Sequence, residues 1–381
     1  MAREPREVWI TGIGVASSLG DGLDAHRAAL GDASGAFPRL DRETYAPYAI
    51  HPMAEIDLST QIPRRGDQRQ MEPWQRYGVY AAGLALDHAG LKGNEELLGA
   101  TDMIVAAGGG ERDVAVDEAI MQMLRDGAPL DDPRIVERLA NDLRPTLFLA
   151  QLPNLLAGNI SIVHGVTGSS RTFMGEEAAG ADAARIARAR IAAGQGEICL
   201  VGGSYSAARW EMLLLLGFGD TLLRGDWRPV WERGAEGGEK SGGMVTGSMG
   251  AFLVLESAEH ATRRGATPVA RLSGVESDRC LRAPGEASAN ARRQWEALRP
   301  LVGDAPLAVI SGASGCGPAT AEERSFLESV AAGTDMAVRA AGALAGHGRE
   351  AQFILNLARA AMGVRDGSLF PARDASGGVG A

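Results

Sequence analysis

The chain has 381 residues, 45% of them hydrophobic and 23% charged, which is long enough to bury a large core. Its formal net charge of −10 argues against general nucleic-acid binding, which needs a basic surface. The apolar runs fall far short of the roughly 20 residues that cross a bilayer, and the first residues lead into a predicted strand rather than a signal peptide. We therefore expect a cytoplasmic protein with no nucleic-acid partner and no membrane insertion.

The sequence favours neither a metal site nor a bound cofactor. Cys199, Cys280 and Cys316 are isolated and odd in number, which supports neither a disulfide framework nor a zinc site. A glycine-rich turn follows the first predicted strand, but Ser17 occupies the third glycine position of the dinucleotide fingerprint. We expect no metal and no cofactor.

Predicted strands alternate with predicted helices. Apolar runs predict buried strands within residues 8–11, 101–110, 159–165, 198–203, 250–257 and 306–315. Apolar periodicity and glycine stops predict helices over residues 73–90, 145–158, 178–193 and 350–362. Residues 228–247, rich in glycine and charge, are predicted to form a long surface loop between two halves. The alternation predicts an α/β fold with mixed sheets covered on both faces.

Five segments resemble, in order, the landmarks of β-ketoacyl-ACP synthases of the thiolase fold. They are "VWITGIGVASSLGDG", "MEPWQRYGVYAAGLALDHAGL", "QLPNLLAGNISIVHGVTG", "EICLVGGSYSA" and "GAFLVLESAEHATRRGA". The resemblance reaches to about residue 365. It implies two stacked α/β halves in five layers (αβαβα), which we divide into residues 1–247 and 248–381, and a two-fold dimer.

The resemblance places the family's nucleophilic cysteine at Glu177. A helix N-terminus stabilises a thiolate there, and it stabilises a carboxylate for the same reason. A carboxylate is nevertheless a poor acyl acceptor, because its attack on a thioester gives a reactive anhydride. The alternative is that Glu176 and Glu177 only supply negative charge to the first turn of a helix.

The family also uses two histidines to decarboxylate malonyl-ACP. The first position holds Ala313 in this chain. The second holds Ala343 in an ungapped alignment, which we favour, or His347 if a short deletion is allowed. Cys316 lies in the first-histidine loop but has no obvious activating base, so it is not favoured as a nucleophile. The family's terminal Asn-x-Phe-Gly-x-Gly loop has no counterpart in the last residues, "LFPARDASGGVGA".

Together these departures resemble the chain-length-factor type of subunit, which has lost the cysteine and pairs with an active ketosynthase. The resemblance implies a partner subunit in type II fatty-acid synthesis, with a ketosynthase paralogue, an acyl carrier protein and an acyl-chain substrate. More narrowly, "QIPRRGDQRQMEPWQRYGVYAAGLALDHAG" and "TGSSRTFMGEEAAG" resemble the second ketosynthase-like protein of the alphaproteobacterial gene set that makes the very-long-chain acyl group of lipid A.

Two surface regions are candidates for contact with partners. The family places the strand at about residues 169–175 at the dimer interface, so Phe173 and Met174 would help to set acyl length, unless they are simply core residues. The arginines of a basic segment could dock an acidic carrier protein or be ordinary solvated surface; they are Arg64, Arg65 and Arg69.

Two other functions stay open. One is a self-sufficient homodimeric synthase or malonyl-ACP decarboxylase that uses Glu177 with His347. The other is a non-catalytic scaffold that binds acyl-ACP.

Overall fold

The computed structural model describes residues 4–32, 34, 37–233, 242–303, 306–340 and 342–372. Within them the strands are β1 (Val8–Ser17), β2 (Gly20–Asp21), β3 (Ile50–His51), β4 (Asp102–Ala106), β5 (Ser170–Phe173), β6 (Ile198–Tyr205), β7 (Thr246–Gly247), β8 (Met249–Ser257), β9 (Ala270–Arg271), β10 (Ala308–Ser311) and β11 (Ala337–Ala340).

The α-helices of the same residues are α1 (Gly22–Gly31), α2 (Arg65–Gln70), α3 (Pro73–His88), α4 (Glu95–Ala100), α5 (Val114–Arg125), α6 (Pro133–Asn141), α7 (Leu147–Ala150), α8 (Leu155–His164), α9 (Glu177–Ala192), α10 (Trp210–Phe218), α11 (Ala258–Arg263), α12 (Glu286–Leu298), α13 (Ala319–Ala331), α14 (Gly342–Ala345) and α15 (Gln352–Asp366). Short 3₁₀ turns include Leu58–Thr60, Val230–Glu232, Arg299–Leu301 and Arg349–Ala351. No helix of these residues is both long and apolar enough to span a membrane.

A seven-stranded mixed sheet forms the centre of the molecule. Its strand order is β2-β1-β8-β6-β4-β5, with β9 paired to β1. Strand β8 is antiparallel to both β1 and β6, whereas β4 is parallel to β6 and β5. Every residue of β6 and β8 is buried, since helices cover both faces of the sheet. The predicted strands within 8–11, 101–110, 198–203 and 250–257 are confirmed.

Helices and a second, small sheet complete five layers. Helices α3 and α8 pack on one face of the large sheet, and α9 and α15 pack on the other. A Cβ added to Gly14 in β1 would lie 1.9 Å from the carbonyl oxygen of Ala81, so α3 and β1 pack with their backbones in contact. Beyond α15 lie the parallel strands β10 and β11, covered on their far side by α12 and α13. This is the predicted αβαβα arrangement.

The predicted strand at residues 159–165 is wrong, because these residues continue α8. Leu156, Ile160 and His164 recur every four residues on the buried face of that helix. The glycine at 158 therefore lies inside the helix instead of ending it. The predicted helix over 145–158 is accordingly split, with α7 ending at Ala150 and α8 beginning at Leu155.

The predicted surface loop over residues 228–247 is wrong at both ends. Val230 is fully buried in a 3₁₀ turn, and Met244 and Val245 are buried before β7. These apolar side chains draw the ends of the segment into the core. Residues 234–241 lie outside the described residues.

The division of the chain at residues 247/248 stays a prediction, and the sheet topology limits where such a boundary can lie. Strand β8 follows that position directly and lies between β1 and β6 in the large sheet. Strand β9, which pairs with β1, belongs to the same sheet, so a division that keeps this sheet whole would fall after Arg271.

Candidate functional site

A sharp turn between β5 and α9 presents the glutamate pair. Strand β5 ends at Phe173, and Gly175 and Glu176 both have positive φ, at 138° and 58°. Glu176 also has a ψ of −131°, a conformation that glycine adopts more easily than any other residue. The turn places Glu177 at the first position of α9 with 45% of its side chain exposed. A carboxylate at that position is stabilised by the helix dipole.

His347 meets Glu177 across the site. Its Nε2 lies 2.9 Å from Oε1 of Glu177, and it is the donor when the carboxylate is ionised. The His347 backbone is fixed because its N–H donates to Val245 and its carbonyl oxygen accepts from Gly247. Of the two candidates for the second histidine position, the structure brings His347 to Glu177 and places Ala343 in a buried apolar cluster in α14.

The environment keeps the Glu177 carboxyl ionised. Burial alone would raise its pKa, but the hydrogen bond from His347 and the charges of His347 and Arg349 outweigh it. The pKa of Glu177 falls from its ordinary 4.5 to about 2. The group is therefore an anion throughout the neutral range.

An ion pair lies beside the Glu177–His347 hydrogen bond. Nη2 of Arg349 is 2.8 Å from Oε1 of Glu176, and Arg349 also has a positive φ, at 47°. Arg349 and the next residue, Glu350, are each only 5% exposed. Burial raises the pKa of Glu350, and the negative charges of Glu177 and Glu176 add to this effect. A Cβ added to Gly180 would lie 2.6 Å from the Glu350 carbonyl oxygen, so the missing side chain lets this segment approach α9.

A cavity of about 280 Å³ opens beside these charges. Its lining combines charged groups with apolar side chains: Trp74, Gly108, Gly109, Met174, Gly175, Glu176, Ser204, Tyr205, Arg209, Met212, Leu215, Arg349 and Glu350. Arg209 fixes the loop at Gly109 and Gly110, because its guanidinium donates hydrogen bonds to both carbonyl oxygens. The cavity can accept a small, mainly apolar group next to the Glu176–Arg349 ion pair.

The other predicted site residues differ in their exposure and in whether they line the cavity. Met174 is 62% exposed and lines the cavity, whereas Phe173 is partly buried against the core. Ala313 is buried after β10 and packs with Val230 and Ala343. The predicted docking arginines are Arg64, which precedes α2, and Arg65 and Arg69 within it. All three side chains are exposed, and none forms an ion pair with another described residue.

Arg349 and Glu350 were not predicted as site residues from the sequence. The available signal was the "GHGRE" segment, in which two charged residues follow a glycine-histidine turn and precede an apolar helix. Their burial could not be read from that spacing, because it depends on α9 and β6 packing over them. The strain at Glu176 had no sequence signal at all.

Comparisons with known proteins agree with this architecture. The family model "Beta-ketoacyl synthase, N-terminal domain" matches residues 5–261. The chain is 27% identical over 280 residues to 3-oxoacyl-[acyl-carrier-protein] synthase 2 of Vibrio harveyi, covering 71% of this chain and 62% of that protein. It is 29% identical over 279 residues to the tetracenomycin polyketide synthase ketoacyl synthase beta subunit of Streptomyces glaucescens, covering 71% and 63%. The matched parts thus span less than two thirds of these relatives.

A solved structure shares nearly the whole fold. The ishigamide ketosynthase/chain length factor superposes with a TM-score of 0.75 at 22% identity, over 97% of this chain and 89% of that one. At this identity the likeness establishes the thiolase-like fold. Since the family model spans most of the chain, including β1, β5 and Glu177, the chain belongs to the β-ketoacyl synthase family.

Proposed function

We propose that the chain is a non-condensing partner subunit, of the chain-length-factor type, for an active β-ketoacyl-ACP synthase in type II fatty-acid synthesis. One observation carries the proposal: the position that the resemblance gives to the nucleophilic cysteine holds Glu177, and its carboxylate is hydrogen-bonded to His347. An anion with a lowered pKa is a weak nucleophile. Its acyl product would be a mixed anhydride, which is more reactive than the thioester that formed it.

None of the three cysteines offers a substitute thiolate. Cys316 donates from Sγ to the Thr221 carbonyl oxygen at 3.0 Å. Burial raises its pKa, and the negative charge of Glu177 raises it further. Cys199 is buried in β6, and Cys280 is exposed outside the residues that line the cavity. A reactive cysteine needs an environment that favours the thiolate, and neither Cys316 nor Cys199 has one.

Ala313 supports the same proposal. A methyl group cannot donate a hydrogen bond to the enolate that forms when malonyl-ACP loses carbon dioxide. Preorganised donors of this kind contribute about 100- to 1000-fold each to the rate of acyl transfer. With Glu177 and Ala313 at the two positions, independent condensation is disfavoured twice.

The surface around the site suits a partner of the same fold. Strand β5 lies at the edge of the large sheet, where unpaired backbone groups can join another strand. Next to it, Met174 and Leu215 are 62% and 63% exposed and both line the cavity. The Streptomyces glaucescens relative is named a beta subunit, and the ishigamide structure is named a ketosynthase/chain length factor. We propose that a Cys-containing paralogue covers this surface, and that Met174 and Phe173 limit the acyl chain.

The substrate and the carrier follow from the same proposal. The acyl chain would be delivered by an acyl carrier protein. The carrier would dock on Arg64, just before α2, and on Arg65 and Arg69 within that helix. Reversing all three charges should weaken carrier binding, and unchanged binding would dismiss the docking role. The product would be a very-long-chain acyl group for lipid A, made in the cytoplasm.

A second candidate function is favoured by the Glu177–His347 contact itself. In a homodimer, the thioester oxygen of malonyl-ACP would replace the Glu177 carboxylate as the acceptor of the His347 Nε2–H. Loss of carbon dioxide would leave an enolate, and uptake of one proton at carbon would give acetyl-ACP. This candidate needs no acyl-enzyme and therefore no cysteine.

Co-expression with the Cys-containing ketosynthase paralogue tests both candidates. The partner-subunit proposal expects a co-purified heterodimer whose acyl products lengthen only when this chain is present. A homodimer that releases carbon dioxide from malonyl-ACP, with the release abolished by Glu177→Ala, would replace it with the second candidate. Binding of acyl-ACP without any effect on the paralogue's products would instead indicate a scaffold.

A further inference from the structure

A second cavity, of about 520 Å³, lies between α1 and the C-terminal end of α15. It is lined by Arg27, Leu30, Gly31, Arg359, Met362, Gly363, Asp366, Ser368, Leu369, Phe370 and Pro371. No residue is shared with the lining of the first cavity. Arg359 follows Arg349 by ten residues, which is roughly 15 Å along a helix, so this is a separate site.

Arg359 is the unusual residue of this cavity. It is only 2% exposed, and it makes one hydrogen bond, from Nη1 to Oδ1 of Asn356 at 3.3 Å. Its Nε and Nη2 atoms are buried and have no hydrogen-bond partner among the described residues. A guanidinium carries five N–H donors, and buried donors are normally all paired.

Within the described part of the chain, the charge of Arg359 is also uncompensated. Asp366 lines the same cavity, but its carboxylate accepts from Arg27, which is paired with Asp24 as well. Burial lowers the pKa of Arg359 to about 10, and no carboxylate of the described residues offsets this. His26, buried nearby, adds no negative charge, and its own pKa is lowered by burial and by Arg359. A buried, unpaired cation beside an open cavity favours binding of an anion.

We propose that the cavity between α1 and α15 binds a monoanionic amphiphile, a carboxylate on an apolar stem, with its head group paired to Arg359. A single free guanidinium matches one negative charge, and Asp366 at the same wall disfavours a dianion such as phosphate. The apolar part of the lining would hold the stem: Leu30, Met362, Leu369, Phe370 and Pro371. The proposal does not depend on the partner-subunit function.

Calorimetric titration of the full chain with octanoate, octanol and inorganic phosphate tests the site. We expect saturable binding of octanoate, with octanol and phosphate each weaker by about tenfold or more. Arg359→Met should lose this preference for octanoate, Arg359→Lys should keep part of it, and Arg125→Met, at an exposed arginine of α5, should bind as the unchanged chain does. No saturable octanoate binding, or equal binding by Arg359→Met, would overturn the proposal.

Thermal unfolding, with and without octanoate, tests the role of Arg359 independently of calorimetry. Removing an uncompensated buried charge should leave the Tm of Arg359→Met equal to or above that of the unchanged chain. Octanoate should raise the Tm of the unchanged chain and leave that of Arg359→Met unmoved. A lower Tm for unliganded Arg359→Met would show that the fold itself satisfies the guanidinium, and the proposal would fall.

Discussion

At the scale of single residues, the contact between Glu177 and His347 decides what chemistry the site can do. A carboxylate that accepts a hydrogen bond from imidazole is a stabilised anion, whereas a thiolate in the same place would be a nucleophile. The Glu177–His347 pair is polar but contains no thiol that could accept an acyl group. The two residues are separated by 170 positions in the chain, so their contact depends on the fold.

The pH dependence of Glu177→Gln measures this pair. The folded-state pKa of Glu177 is depressed, so its stabilisation is complete above about pH 4.5 and is lost as the pH falls toward 2. Because 45% of the side chain is exposed, screening limits the effect to about 0.5–1 kcal/mol. Urea unfolding should show Glu177→Gln less stable than the unchanged chain at pH 6 and nearly equal to it at the lowest pH where both still fold. An equal difference at every pH would show that the ionised pair does not stabilise the fold.

Glu177→Cys tests whether this position could carry the family nucleophile. The new thiol would lie at the N-terminus of α9 beside His347, and both lower a thiol pKa. Iodoacetamide should therefore alkylate it faster than the exposed Cys280, by about tenfold or more near neutral pH. Glu176→Cys is the matched control, because position 176 is one residue nearer the strand. If Glu176→Cys reacted faster, the register assigned to the nucleophile would be wrong by one residue.

At the scale of elements, the turn between β5 and α9 is held in a strained shape by the segment that precedes α15. Glu176 and Arg349 both have positive φ, and their side chains are joined at 2.8 Å. Glu176 directly precedes Glu177, and Arg349 lies two positions after His347. Two unfavourable backbone conformations persist because packing and the ion pair fix the ends of both elements.

Comparison of Glu176→Gly with Glu176→Ala separates strain from the ion pair. Both variants lose the contact with Arg349, but only glycine relieves the positive φ. Glu176→Gly should therefore unfold with a free energy about 1 kcal/mol higher than Glu176→Ala. Chemical denaturation of the two proteins side by side is sufficient. Equal stabilities would mean that the turn stores no strain.

The sequence predicted an element correctly where its run of apolar residues is buried on both faces. Strands β4, β6 and β8 are short apolar runs covered on both faces, so composition alone predicted them. The second half of α8, over residues 159–164, was predicted as a strand because it contains β-branched residues, but contacts of Leu156 and Ile160 with the core favour the helix. The ungapped alignment put Ala343 at the second histidine position, and only the packing of α14 and the Thr246–His347 bridge bring His347 to Glu177.

At the scale of the whole molecule, exposed apolar side chains collect at one edge of the large sheet. The edge strand β5, the mouth of the first cavity and exposed apolar side chains of α10 meet there. Ser170 and Arg171 of β5 are exposed, and Leu215 and Phe218 of α10 are 63% and 86% exposed. Exposed apolar side chains around a cavity mouth are typical of an interaction site. An obligate pair should bury more than about 2,000 Å² in total.

Paired aspartate substitutions at Met174 and Leu215 test this surface. Both side chains are mostly exposed in the single chain, so the double variant should fold with its Tm little changed. If a partner covers them, two desolvated charges would weaken association by about a hundredfold or more. Sedimentation of the purified chain and co-purification with the paralogue report self-association and heterodimer formation separately. Val364→Asp, at a 70% exposed apolar residue of α15, is the control for a surface charge placed elsewhere. Association unchanged by the double variant, in both assays, would mean that the partner binds away from the cavity mouth and that Met174 cannot limit the acyl chain from an interface.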